Sequence, residues 1–265
     1  MSQRGAYVQV LATGLALALP RPAAPRESRP ALRPAILAAS GDAAAAPEPD
    51  PAEAAVLLGG INESWLSLAA WVPVHVAAGR QVFGYAYDQR IDDLETSARG
   101  LAEALAGLSA HGVRRLHVTA YSMGGWVAKA ALDRMAADGS IGAFDSVELT
   151  TLATPWGGFH RADIAWRLRA VPSRGLARAL SRAVRKPMCF EVGSRTPFVR
   201  ARRAALPVRV TFRVFEGAED EIATPRTAEE RENYEAVATL ATARVTVPRA
   251  RHADMRGPRF DWRMK

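Results

Sequence analysis

From Ala54 onward the chain alternates between two hydrophobic patterns. "AAVLLGG" is a short apolar run ended by glycines, the pattern of a buried strand. Residues Trp65 to Ala78 have helical spacing, with Pro73 predicting a break. "RQVFGYAY" (Arg80 to Tyr87) predicts a strand. Asp92 to Ala110 predicts a helix, because Leu94, Ala98, Leu101, Leu105 and Leu108 fall on one face. His111-Gly112 suits its end: glycine fits a left-handed cap, and histidine fits the negative end of the helix dipole. "VRRLHVTA" predicts the next strand, Met123 to Ala137 a helix, and "SVELTTLA" a further strand. Val208 to Phe215, Thr227 to Leu240 and Ala243 to Val247 then predict strand, helix and strand.

Strands alternating with helices predict an α/β fold: a mostly parallel sheet with helices on both faces. Sheets of this kind place their sites at the carboxyl ends of the strands. One interruption, Pro155 to Leu206, shows no clear strand. It predicts a helical cap inserted at about 156–206. Before the alternation begins the texture differs. Ala6 to Leu19 is apolar apart from Gln9 and Thr13, which is short for a bilayer span but fits the apolar part of a signal peptide. Either it directs export or membrane association, or it is a tail of a cytoplasmic protein. Residues 20–52 are rich in proline and alanine and predict a linker. The division is therefore 1–52, an N-terminal apolar segment and linker, and 53–265, the folded domain.

Composition narrows the chemistry. The 265 residues carry a net charge of +8 and one cysteine, Cys189. A single cysteine forms no intramolecular disulfide, and no Cys/His cluster has zinc-site spacing. No metal or cofactor is implied. Nearly all the basic residues are arginines, and no motif of nucleic-acid recognition accompanies them, so nucleic acid is not an expected partner. The charge concentrates instead between Arg161 and Arg209, where twelve arginines and Lys186 face only Asp163 and Glu191. Within that span, Ser173 to Lys186 places Leu176, Leu180 and Val184 on one stripe and Arg174, Arg178, Arg182 and Arg185 on other faces. This suits a lid that meets an anionic membrane surface, or a cap helix that buries its apolar stripe on the sheet.

The candidate chemistry begins at "AYSMGG", Ala120 to Gly125, between a predicted strand and a predicted helix. Small-x-Ser-x-Gly in that context is the nucleophile-elbow pattern. The turn is sharp, so the positions two before and two after Ser122 must be small, and here they are Ala120 and Gly124. The bend lifts the Ser122 hydroxyl above the sheet edge and aims the Met123 amide into the same space. A serine nucleophile needs a base, and the base needs an acid to orient it. Of the five histidines, only His252 follows every plausible acid strand. The acid lies in "EGAEDEIATP", where Asp220 is the leading candidate and Glu219 and Glu221 are alternatives. A second oxyanion donor is expected after the first core strand, in "LLGGINES", where Gly59 and Gly60 favour the amide of Ile61. Asn62, Trp65, Trp156 and His160 are candidate substrate contacts, with Phe159, Trp166 and Phe198 as further candidate walls or cap core.

With these residues in place the chain resembles the α/β-hydrolase superfamily, and more narrowly the bacterial triacylglycerol lipases and esterases with an Ala-x-Ser-x-Gly elbow. The resemblance runs from about Ala54 to His252, through "AYSMGG", "LLGGINESW", "LATPWGG", "EVGSRTPF", "GAEDEIATP" and "RHADM". It implies a Ser122–Asp220–His252 triad with Ile61 and Met123 as oxyanion donors, acting on a small-molecule or lipid ester. Two departures stand out: Gly59 replaces the usual histidine of the oxyanion loop, and Arg251 replaces the usual glycine before the base. An acyltransferase or thioesterase would use the same triad, and a non-catalytic binding or membrane-associated protein could use the same fold.

Overall fold

In the computed structural model, residues 48–87, 92–159, 162, 188–202 and 204–258 are described, together with strand backbone at 7–8, 31–34 and 37–38. Seven strands form one sheet: β1 (Ala31–Pro34), β2 (Asp50–Leu58), β3 (Arg80–Ala86), β4 (Arg115–Tyr121), β5 (Ser146–Leu152), β6 (Val210–Gly217) and β7 (Ala243–Val247). Their order is β1-β3-β2-β4-β5-β6-β7. Six strands run parallel, and β1 pairs antiparallel with β3 at the edge. β1 lies in the stretch expected to be linker. Four residues are too short to show a period, and Pro34, which cannot donate to a ladder, is compatible with an edge strand.

The alternation along each strand sorts side chains between two cores. Leu116, Val118 and Ala120 of β4 point to one face, against α2 (Leu94–Ala110), α3 (Met123–Asp138) and Tyr234 and Val237 of a later helix, Ala228–Ala238. Tyr121 points to the other face with Ala55, Leu57, Leu152 and Phe215. Trp65, Leu68, Trp71 and Met255 cover that group. Pro73 does not break a helix there. It opens one: a 3-10 turn over Trp65–Trp71 leads into α1 (Val72–Ala77), with Pro73 in the first turn, where its missing N–H is no loss.

The lower half of the second face is polar. Arg115 pairs with Glu53 at 2.5 Å and Asp50 at 2.6 Å, and Arg213 with Glu148 at 3.0 Å. His117 sits between Glu53 (3.9 Å) and Glu148 (3.8 Å). This explains why "VRRLHVTA" and "SVELTTLA" alternate instead of reading as continuous apolar runs.

Buried polar groups give the fold a pH signature. His75 of α1 accepts a hydrogen bond from Arg80 Nη1 at Nδ1 (3.1 Å), which leaves Nε2 to donate to Thr119 Oγ1 (3.2 Å). Burial, with Arg80 nearby, lowers the His75 pKa from 6.5 to about 3. The unfolded chain therefore binds a proton that the folded one refuses. Stability contributed by neutral His75 is present above pH 6.5 and declines as pH falls toward about 3. The expected slope is at most about 1.4 kcal/mol per pH unit. Urea unfolding across that range should show it, and His75→Gln should flatten it.

Lys129, fully buried on α3, ties that helix to the chain before β6. Its Nζ donates to Asp133 Oδ1 (2.8 Å) and to the Ala204 carbonyl (2.8 Å), while Arg202 Nη1 lies 3.3 Å from Asp133 Oδ2. Burial pulls the Lys129 pKa down and pushes that of Asp133 up. Lys129→Ala should destabilise the protein by about 1–3 kcal/mol in urea titration, because the part-buried Asp133 carboxylate loses its closest cation while Arg202 stays beside it. Lys129→Met with Asp133→Leu should cost less than the single change.

The expected cap falls mostly outside the described residues, as do the N-terminal apolar segment, Ser173 to Lys186, and Trp166. Its two ends are described. Phe159 N donates to the Val192 carbonyl (2.7 Å), and Asn233 Nδ2 donates to the carbonyls of Gly157 (3.2 Å) and Ser194 (2.8 Å). The chain thus leaves and rejoins the domain at one place. Beyond it, Met188 and Val199 are buried in the core beneath α2 and α3.

Candidate active site

Ser122 sits between the end of β4 and the start of α3 at φ 52°, ψ −125°. A non-glycine residue held there is strained, at a cost of about 1–3 kcal/mol. The neighbours hold it in place. Ser122 N donates to the Leu152 carbonyl (2.8 Å), extending the β4–β5 ladder by one bond. A Cβ on Gly124 would lie 2.6 Å from the Gly59 carbonyl oxygen and 2.9 Å from that of Leu58. A Cβ on Gly60 would lie 2.9 Å from the Ser122 Cβ. The elbow and the loop after β2 therefore interlock through glycines. Gly60, the residue before Ile61, is thus close to Ser122, and Met123 carries a first-turn amide at the positive end of α3.

The imidazole of His252 bridges the other two side chains. Its Nε2 lies 2.9 Å from Ser122 Oγ, and its Nδ1 lies 2.9 Å from Asp220 Oδ2 and 3.0 Å from Oδ1. A carboxylate facing Nδ1 fixes the tautomer: Nδ1 carries the proton, and Nε2 accepts from the serine hydroxyl. All three groups are buried, Ser122 at 5%, Asp220 at 2% and His252 at 6% exposure. They come from three separate strand ends, after β4, β6 and β7.

Each partner is oriented in turn. Asp220 Oδ1 accepts from the amides of Ile222 (2.9 Å) and Ala223 (2.7 Å), and Thr224 Oγ1 donates to the Asp220 carbonyl. Glu219 and Glu221, the alternatives, are exposed. The His252 carbonyl accepts from Tyr121 OH (3.2 Å). Arg251, which the sequence placed beside the base, turns outward and lies 4.0 Å from Glu219. Its amide donates to Asp254 Oδ2 (3.0 Å), and this starts the 3-10 turn that carries His252.

Residues 53–156 match the family model described as "Alpha/beta hydrolase of unknown function (DUF900)". The chain superposes on a Bacillus licheniformis lipase in its mature form with TM-score 0.50 and 16% identity, over 80% of this chain and 89% of that one. On the Paleococcus ferrophilus monoacylglycerol lipase the TM-score is 0.54 at 12% identity, over 77% of this chain and 88% of that one. The fold is that of the α/β-hydrolase superfamily. A comparison with curated protein sequences finds no match.

Two of the expected substrate contacts serve this α/β-hydrolase fold as core. Trp156 is fully buried, edge-on to Trp126 (4.8 Å) and Phe212 (5.8 Å). Trp65 lies against Gly84 in the second core. Both are correctly placed in sequence to line a site, but their rings are spent on packing. Asn62 is exposed at φ 62° in the turn beside Ile61. His160 lies outside the described residues. Of the remaining histidines, His111 Nδ1 bonds the Gly107 carbonyl (2.7 Å) at the end of α2, as its position predicted.

One residue of the site gave no sequence signal. Tyr87 OH donates to the Gly59 carbonyl (2.9 Å). It braces the loop after β2 at Gly59, the position where the resemblance would put a histidine. Only its place one residue beyond β3, next to β2 in the sheet, brings it there.

Proposed function

We infer that this protein is a serine hydrolase of carboxylic esters, lipase- or esterase-like, working through an acyl-enzyme. The observation that carries this is the unbroken hydrogen-bonded series from Ser122 Oγ through His252 to Asp220, with the serine at a strained elbow beneath a helix N-terminus. A buried series of this kind needs a reason to persist, and nucleophile activation supplies it.

The steps follow from the atoms. Ser122 Oγ attacks the ester carbonyl as His252 Nε2 takes its proton. Asp220 stabilises the imidazolium without itself being protonated. The Met123 and Ile61 amides face the developing oxyanion, each worth about 3 kcal/mol in the transition state. Collapse breaks the C–O bond, and the alcohol leaves with the proton from Nε2. Water then gives its proton to Nε2 and attacks the acyl-enzyme, releasing the acid and restoring Ser122. The lipases among the similar folds favour an apolar acyl group. The arginine-rich stretch between Arg161 and Arg209 favours an anionic lipid–water interface as the place of action.

Covalent labelling by a fluorophosphonate tests this, with Ser122→Ala as the control. Wild type should label and the variant should not. A folded wild type that stays unlabelled, with and without anionic vesicles, overturns the proposal. Product formed only when an alcohol or thiol acceptor is supplied would move the activity to acyl transfer.

A further inference from the structure

His252 reaches Ser122 from the far edge of the sheet. β7 is separated from β4 by β5 and β6, so the loop carrying the base crosses two strands. A loop holds a catalytic geometry only as well as its anchors do. On the acid side, the Ala250 carbonyl accepts from the Glu219 amide (3.0 Å). Further anchors lie on the other side, toward the loop after β2. Met255 is buried in the second core. The Arg256 carbonyl accepts from Trp71 Nε1 (3.0 Å). Arg256 Nη1 lies 3.4 Å from Glu63 Oε1, and its guanidinium lies 5.6 Å from the centre of the Tyr121 ring.

The last two contacts meet at one side chain, the Arg256 guanidinium. Glu63 is two residues from Ile61, and its amide closes the same turn by donating to the Gly60 carbonyl (3.2 Å). Tyr121 precedes the nucleophile and donates to the His252 carbonyl (3.2 Å). Arg256 thus touches the turn that aims the Ile61 amide and the ring that holds the His252 backbone, and it belongs to the base loop itself. We propose that Arg256 is a positioning residue that locks the loop bearing the base to the loop bearing the oxyanion donor, so that both meet Ser122 in one geometry. This rests on the serine-hydrolase reading given above. The Arg256 side chain is 42% exposed, so its ion pair adds little to folding. Its effect falls on alignment.

The test compares Arg256→Ala, Arg256→Lys, Glu63→Gln and the Glu63→Gln/Arg256→Ala pair on a short-chain p-nitrophenyl ester. Arg256→Ala should lower kcat about 10- to 100-fold with KM changed less than about twofold, the signature of lost alignment. Arg256→Lys should recover part of kcat, since an ammonium keeps the pair with Glu63 but not the planar contact with Tyr121. The double variant should be no slower than the slower single one. A second readout needs no turnover: the downfield proton resonance of His252 Nδ1–H. It should broaden in Arg256→Ala and sharpen again in Arg256→Lys. An unchanged kcat, a loss that only tracks the folded fraction, or an unaltered resonance overturns the proposal. If wild type neither labels nor turns over, the hydrolase reading falls, while the resonance still decides whether Arg256 positions His252.

Discussion

Ser122→Ala is expected to lower kcat for ester hydrolysis by about 10⁶-fold, as the loss of a triad nucleophile does elsewhere. Among the described residues no other hydroxyl or thiol is hydrogen-bonded to His252 Nε2, so no neighbour is placed to compensate. His252 remains 5.1 Å from the Tyr121 ring and bonded to Asp220, and the Met123 and Ile61 amides keep their places. A residual rate of about 10³ over water would come from those amides and from binding. Stability should change little, because alanine and serine share the strain at φ 52°. Steady-state rates normalised to folded protein check both. A variant that retains more than a few per cent of wild-type kcat would place the nucleophile elsewhere.

Asp220→Asn should cost about 10⁴-fold in kcat while leaving the fold intact, and the surrounding amides say why. Ile222 and Ala223 both donate to Asp220 Oδ1. In the asparagine variant that position must remain an oxygen, since an amide NH₂ there would face two N–H donors. The NH₂ then occupies the Oδ2 position, 2.9 Å from His252 Nδ1. It donates to Nδ1, which must give up its proton. The proton moves to Nε2, and the imidazole faces Ser122 as a donor instead of a base. The pH–rate profile separates this from mere loosening: kcat should stay low across the neutral range. Recovery near neutral pH would mean that Asp220 only packs against His252.

Much of this was legible from residues alone, because local chemistry required it. Small residues around Ser122 are demanded by a tight turn: the structure puts the carbonyls of Leu58 and Gly59 where a Cβ on Gly124 would lie, and the Thr154 side chain where one on Gly125 would lie. His252 was legible by elimination among five histidines. The acid was legible only as a leading candidate: Glu219, Asp220 and Glu221 share one polar run, and it is the inward turn of the loop after β6 that sets Asp220 against His252. Trp65 and Trp156 misled because a large apolar ring reads alike whether it lines a pocket or fills a core. The direction of Arg251 was equally hidden, since it depends on the Asp254 carboxylate capping the next turn.

By itself, then, the sequence determined the alternation of strands and helices, the elbow and the histidine that serves it. Those depend on periodicity and backbone sterics, which act within a few residues. Tertiary structure alone decided what converges on them. Tyr87 supports Gly59, Tyr121 holds the His252 carbonyl, and Arg256 reaches Glu63 across 193 positions of chain. No local pattern encodes such contacts, because they exist only once the parallel sheet has brought the ends of β2, β4 and β7 to the same edge.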